Sequence, residues 1–200
     1  MRATRKATSS SCRSGIEPHA VSLFVAKQAI IAYWLIPAEP AHSFFYRMIG
    51  DLARRYDAPV FEPHVTLHVG ADRANSAHQA LAESAREYTP IKLKPIGIEQ
   101  SDEFVKTLFV QFALSAEVRQ LNEIIRGAAQ DSSQYQLKPH LSLLYSKMEA
   151  VARRELAASI AVPFSEISFD RIRAVRCFSP TQCRADVDAW RVVAAEERPR

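Results

Sequence analysis

The chain has 200 residues, 48% hydrophobic and 24% charged, with 5 glycines and 11 prolines; this is enough apolar material for one domain with its own core, and it excludes disordered, collagen-like and linker-dominated chains. No apolar run reaches the roughly 18 residues of a membrane helix, because Lys27 and Gln28 break the stretch 20–36. The formal net charge of +4 sits at one end: residues 1–28 carry Arg2, Arg5, Lys6, Arg13 and Lys27 against Glu17, whereas residues 29–200 hold 21 basic and 21 acidic side chains, so the basicity says nothing about a nucleic-acid-binding face.

Residues 1–28, bearing Arg and Ser and poor in acids, read as a disordered basic extension ahead of one bilobal domain over 29–200. An upstream start or plain extension, an organellar presequence and a weak secretory signal all fit such a tail. Three cysteines, Cys12, Cys177 and Cys183, make no disulfide framework and suit a reducing, cytoplasmic setting. A bond between Cys177 and Cys183 stays open.

From residue 29 onward, strand-like and helix-like segments alternate. Residues 30–36 are apolar and β-favouring and are ended by Pro37 and Pro40; residues 41–56 then place Phe44, Phe45, Met48, Ile49 and Leu52 at helical spacing, with Arg54 and Arg55 at the C-terminal end of the helix dipole. Pro63 precedes a short strand, 64–69, stopped by Gly70; an Ala-rich helix follows over 74–88, then strands at 91–98 and 104–114. Residues 115–130 make an amphipathic helix through Val118, Leu121, Ile124 and Ile125, and a polar loop leads to Pro139 and the run 140–145. A helix over 149–160 and strands at 164–179 and 189–194 complete the chain.

The second half repeats the first. Pro-His-Val-Thr-Leu-His-Val at 63–69 aligns with Pro-His-Leu-Ser-Leu-Leu-Tyr at 139–145, identical at Pro, His and Leu and matched in hydroxyl at Thr66 and Ser142. An internal duplication is the simplest account. Strand alternation puts His64 and Thr66 on one face and His140 and Ser142 likewise, so a pseudo-twofold packing of the halves brings two imidazoles and two hydroxyls to one cleft. That set fits a phosphodiester: one imidazole takes a proton from attacking water, the other protonates the leaving oxygen, and the hydroxyls hold the non-bridging oxygens. No metal is required. A lone His-x-Thr has almost no specificity; two of them 76 residues apart, each after Pro and each in the same order of elements, have a good deal more.

These paired motifs resemble the two-histidine (2H) phosphoesterases. Phe61-Glu62-Pro63-His64-Val65-Thr66 and Lys138-Pro139-His140-Leu141-Ser142-Leu143-Leu144-Tyr145 are similar to the cyclic phosphodiesterase branch, as are Tyr33-Trp34-Leu35-Ile36-Pro37 and the aromatic run 104–112. The resemblance implies an α+β fold of two pseudo-twofold-related lobes, with antiparallel sheets around a central cleft and helices outside. It also implies cofactor-free hydrolysis of a nucleoside or ribose cyclic phosphate to a phosphomonoester. Both 2',3'-cyclic nucleotides and ADP-ribose 1'',2''-cyclic phosphate suit the class. On this resemblance His64 and His140 match the catalytic histidines, Thr66 and Ser142 the phosphate-contacting hydroxyls, and Tyr145 a site tyrosine. Strict alternation would turn Tyr145 to the opposite face, so its role needs a bulge.

The expected protein is a monomer acting on a small cyclic phosphate, with no membrane partner. A 2H enzyme acting on RNA ends (a 2',3'-cyclic phosphate or a 2'-5' linkage) and a nucleotide- or RNA-binding module without chemistry are the alternatives. Which histidine is base and which acid is open. Trp34, beside Leu35, Ile36 and Phe61, reads as core. His68 is expected on the same strand face as His64, about 13 Å along at roughly 3.3 Å per residue, as a bystander and not a metal ligand. Arg171, Arg173 and Arg176 read as a solvated strand face, and Glu62, Asp72 and Asp170 form no readable acid pair. No glycine-rich phosphate loop is present.

Overall fold

The computed structural model describes residues 26–73, 75–87, 90–131, 133 and 135–197; the predicted extension lies almost wholly outside them. In chain order the elements are β1 (Gln28–Pro37), α1 (Ala41–Tyr56), β2 (Val65–Ala71), α2 (Ser76–Glu87), β3 (Ile91–Leu93), β4 (Pro95–Gln100), β5 (Leu108–Phe112), α3 (Ala116–Ala128), β6 (His140–Leu144), α4 (Ala150–Ser159), β7 (Ile167–Ser179), α5 (Arg184–Asp188) and β8 (Arg191–Glu197). Antiparallel strands run in the order β3-β7-β1-β2-β6-β5-β4, with β8 also on β7. Two lobes are evident. One is built on β1, β2, β3, β7 and β8, the other on β4, β5 and β6, and they meet through a single residue pair, Val65 with Leu141.

The helices form where apolar periodicity and end signals coincide. In α1, Phe45, Ile49 and Leu52 are buried on one stripe, and the helix ends at Asp57 in a left-handed conformation with φ of 48°. α3 starts at Ser115, whose hydroxyl accepts from the Val118 amide. Each of these helices precedes a motif strand of its own lobe but packs on the motif strand of the other: α1 lies on β6 and α3 on β2. Phe45 and Leu52 of α1 and Val118, Leu121 and Ile125 of α3 share one core with Val65, Leu67, Leu141 and Leu143. The repeated halves are thereby locked together by more than the one strand pair.

Four elements depart from the sequence expectation. β2 runs through Gly70, which was expected to stop it, to Ala71. The strand expected over 91–98 divides at Lys94, with β3 pairing to β7 in one lobe and β4 to β5 in the other; Pro95, which lacks an amide hydrogen, opens the second piece. Residues 104–106 form a 3₁₀ turn and not the start of β5, closed by the Lys106 amide donating to the Glu103 carbonyl. The short α5 has no sequence counterpart in the reading above. Cys177 is buried and Cys183 exposed, and both are free. Among the described residues no helix is long and apolar enough to cross a membrane.

Candidate active site

Both predicted motifs border one cavity of about 520 Å³, lined by His64, Thr66, His140, Ser142 and Tyr145 among others. Val65 and Leu141, paired across the lobes, point into the core with no exposure. An antiparallel register through that pair sets His64 opposite Ser142 and Thr66 opposite His140. The cavity thus takes one imidazole and one hydroxyl from each lobe.

Matching bulges shape the two strands. In β2, Thr66 pairs with Trp34 and His68 with Tyr33, leaving Leu67 as the extra residue; in β6, Ser142 pairs with Phe109 and Leu144 with Leu108, leaving Leu143 extra. The consequence is the same in both lobes. Leu67 and His68 both face inward, as do Leu143 and Leu144, and the next residues, Val69 and Tyr145, return to the cavity wall. The bulge that Tyr145 needed is therefore present. The expectation for His68 is corrected by the same device: it does not share a face with His64 but is wholly buried, its Nε2 2.7 Å from the Asp131 carboxylate.

The imidazoles are held alike. His64 Nδ1 lies 2.6 Å from the Glu62 carbonyl and His140 Nδ1 2.7 Å from the Lys138 carbonyl, in each case two residues back along the chain. A carbonyl only accepts, so Nδ1 carries the proton in both rings and Nε2 is left with its lone pair in the neutral form. Their surroundings differ. His64 is 6% exposed and stacked on Trp34 at 3.8 Å, with Trp190 edge-on at 6.3 Å; burial, reinforced by the neighbouring His140 against the pull of the Glu62 carbonyl, pushes it down to about 4. His140 is partly exposed, with Phe109 edge-on at 5.3 Å and Lys106 over the Phe109 ring, its Nζ 4.7 Å from the centroid. Burial and the Lys106 charge lower its pKa from the ordinary value, with the Lys138 carbonyl and Glu103 opposing.

Ser142 Oγ donates to the Val105 carbonyl at 2.9 Å, which fixes its rotamer at the cavity floor. Tyr145 is stacked on Phe61 at 3.8 Å beside the Ser142 hydroxyl, and burial raises its phenol so that it stays protonated. Trp34 is buried as expected, yet it also lines the cavity as the platform for His64. Lys106, Lys138, Tyr135 and Trp190 border the cavity as well. They carry no mark in the sequence beyond one clue, a tryptophan in the polar stretch Asp188-Ala189-Trp190-Arg191.

The three arginines of β7 do not reach the cavity. Arg173 pairs with Glu62, Arg176 with Asp72 and Arg171 with Asp170, so the carboxylates that looked scattered are the partners of the arginines that looked solvated. Among the described residues no group of three or more His, Cys, Asp or Glu side chains is arranged to hold a metal ion.

The mixed α+β fold with its antiparallel sheet is the one that the resemblance to the two-histidine phosphoesterases implied. The model of a family described as cyclic phosphodiesterase-like protein matches residues 29–197. A cyclic phosphodiesterase of Arabidopsis thaliana is 24% identical over 175 residues, covering 84% of this chain and 94% of that protein. Escherichia coli LigT complexed with 3'-AMP superposes with a TM-score of 0.55 at 14% identity, covering 86% of this chain and 98% of that one; its apo form gives 0.54 at 16% identity. The chain belongs to the cyclic phosphodiesterase-like family of 2H phosphoesterases and is, by that membership, an enzyme of cyclic phosphodiesterase type.

Proposed function

We propose that the protein hydrolyses a ribose-type cyclic phosphate, a 2',3'-cyclic nucleotide or ADP-ribose 1'',2''-cyclic phosphate, to a phosphomonoester through His64 and His140. The observation that carries this reading is the shared tether: both Nδ1 atoms are tied to backbone carbonyls, so both rings offer Nε2 to the cavity between the lobes. In the free protein a single proton shared by the pair resides on His140, the more exposed ring, because His64 is held near 4. His64 Nε2 accepts a proton from water as the water oxygen bonds to phosphorus; the bond from phosphorus to one ribose oxygen breaks, and that oxygen takes the proton from His140 Nε2. One water is consumed and a ring-opened monoester leaves.

Thr66 and the neutral Tyr145 phenol supply donors for the non-bridging oxygens, Ser142 joins them by turning its hydroxyl from the Val105 carbonyl to the phosphate, and Lys106 and Lys138 supply positive charge at the cavity edge. Trp34, Tyr135 and Trp190 give the cavity apolar and aromatic walls against which a nucleoside packs. That the LigT relative was crystallised with 3'-AMP supports a nucleotide in this cleft.

The pH dependence follows from the two directions. Both imidazoles lie below the ordinary histidine value of 6.5, so the singly protonated pair is fullest between about 4 and a limit under 6.5. The expected kcat/KM profile on 2',3'-cyclic AMP is a bell centred on the acid side of 6.5, and chromatography of the products identifies the ester bond that breaks. Turnover confined to an oligonucleotide ending in a 2',3'-cyclic phosphate would replace this reading with action on RNA ends. Tight binding of the cyclic nucleotide without turnover would replace it with a binding role.

A further inference from the structure

The proposed chemistry leaves His68 without a task. The bulge at Leu67 drives this imidazole into the interior, where it has no exposure, while its counterpart in the other lobe is an apolar side chain, Leu144. A buried imidazole is costlier to accommodate than a leucine unless its nitrogens are used. One nitrogen is used: Nε2 donates to Asp131, 2.7 Å away, and Asp131 lies on the connection from α3 to β6. Burial works to raise the Asp131 carboxyl, but the hydrogen bonds from Ser133 and His68 outweigh it and keep the group charged.

The contacts around this pair converge on the same connection. Tyr135 sets its ring edge-on to His68 at 5.7 Å and donates its hydroxyl to the Thr66 carbonyl at 3.3 Å. Ser133 lies within reach of both Asp131 and the Val69 carbonyl, the latter at 3.1 Å. Arg73 donates to the Gln130 carbonyl at 2.9 Å. Gly70 leaves the room: a Cβ there would sit 2.9 Å from the Asp131 carboxylate. Beyond this fastening the connection carries Tyr135, Gln136 and Lys138 along the cavity wall, and the Lys138 carbonyl is the one that tethers His140. The first motif strand thus reaches through His68 and Asp131 to the segment that delivers the second motif.

We propose that His68 and Asp131 are positioning residues, a latch that fastens the α3–β6 connection across β2 and so holds Tyr135 and Lys138 in place as the wall of the substrate cavity. Its kinetic consequence rests on the cyclic-phosphate reading, whereas its structural consequence does not. The test compares the full chain with His68→Leu (the residue of the other lobe), His68→Gln, which keeps an N–H donor, Asp131→Ala, the double variant His68→Leu with Asp131→Ala, and Gly70→Ala, whose Cβ crowds the Asp131 carboxylate first. Amide hydrogen exchange over residues 130–138 and KM and kcat for 2',3'-cyclic AMP are measured on each.

The latch predicts about tenfold faster exchange over 130–138 and about tenfold higher KM in His68→Leu, Asp131→Ala and Gly70→Ala, with kcat within about twofold, as expected for loss of one charge-assisted hydrogen bond. It predicts near wild-type behaviour in His68→Gln and a double variant no worse than either single one. Unchanged exchange over 130–138 in the three loss variants overturns the latch. Faster exchange with unchanged KM overturns the positioning role. If the wild-type chain turns over no cyclic phosphate, the exchange result still decides the latch, and the failure belongs to the substrate reading alone.

Discussion

The two motif strands share a backbone plan down to the bulged residue and the tether two residues before each histidine, yet they place their imidazoles in different media. His64 is enclosed against the face of Trp34, with Trp190 edge-on to both rings, whereas His140 is partly open to solvent beside Phe109 and Lys106. The repeat gives two copies of one geometry, and side chains outside the motif make them unequal. In an acid/base pair that inequality is useful, since rings with identical environments would compete for one proton, and different burial decides which of them holds it.

The comparison breaks most completely at the stacking platform. Trp34→Ala is expected to cost about 3–5 kcal/mol of stability, as for other buried aromatics, and to admit water to His64, moving the acid limb of kcat/KM from about 4 toward 6.5. Phe109→Ala, the matching change in the other lobe, is expected to cost stability while leaving that limb in place. Urea unfolding and pH–rate profiles of both variants separate the two effects.

A smaller effect is the pH dependence of stability itself. Between 6.5 and about 4 the unfolded chain binds a proton at residue 64 that the folded chain does not. Stability therefore falls as pH falls through that window, by at most about 1.4 kcal/mol per pH unit for this group. Urea titrations from pH 7.5 to 4.5 are expected to show a flatter slope in His64→Ala than in the wild type, and a lesser flattening in His140→Ala, whose ring is less enclosed.

The smallest contrast lies between the hydroxyls. Ser142 is buried and committed to the Val105 carbonyl, while Thr66 is partly exposed on the cavity wall. Ser142→Ala should cost about 1 kcal/mol of stability and Thr66→Ala little, with Thr66→Ala the more damaging to kcat/KM. Thermal melts beside steady-state kinetics check the crossing.

What the sequence made legible was the part governed by periodicity and repetition. α1 appears with the expected bounds because its apolar stripe and end signals agree, and the twin motifs meet because a repeated strand in an antiparallel pair faces its copy. Alternation failed at His68 and Tyr145 for one reason: a single extra residue in each strand reverses every face beyond it, and nothing in the residues Leu67 or Leu143 announces a bulge. The tethers were invisible because carbonyls have no letter in the sequence. Lys106 had no assigned part in the sequence reading and Lys138 entered it only as the first residue of the second motif; their place at the cavity depends on the 3₁₀ turn over 104–106 and on the connection fastened through Asp131.

The most direct test of the central claim is turnover of 2',3'-cyclic AMP in the presence of EDTA by the wild-type chain, His64→Ala and His140→Ala. Two-histidine catalysis predicts undiminished wild-type turnover and a loss of at least about a hundredfold in kcat in each variant, as for removal of a general acid or base. Robust turnover surviving in either variant, with the protein folded, would contradict it.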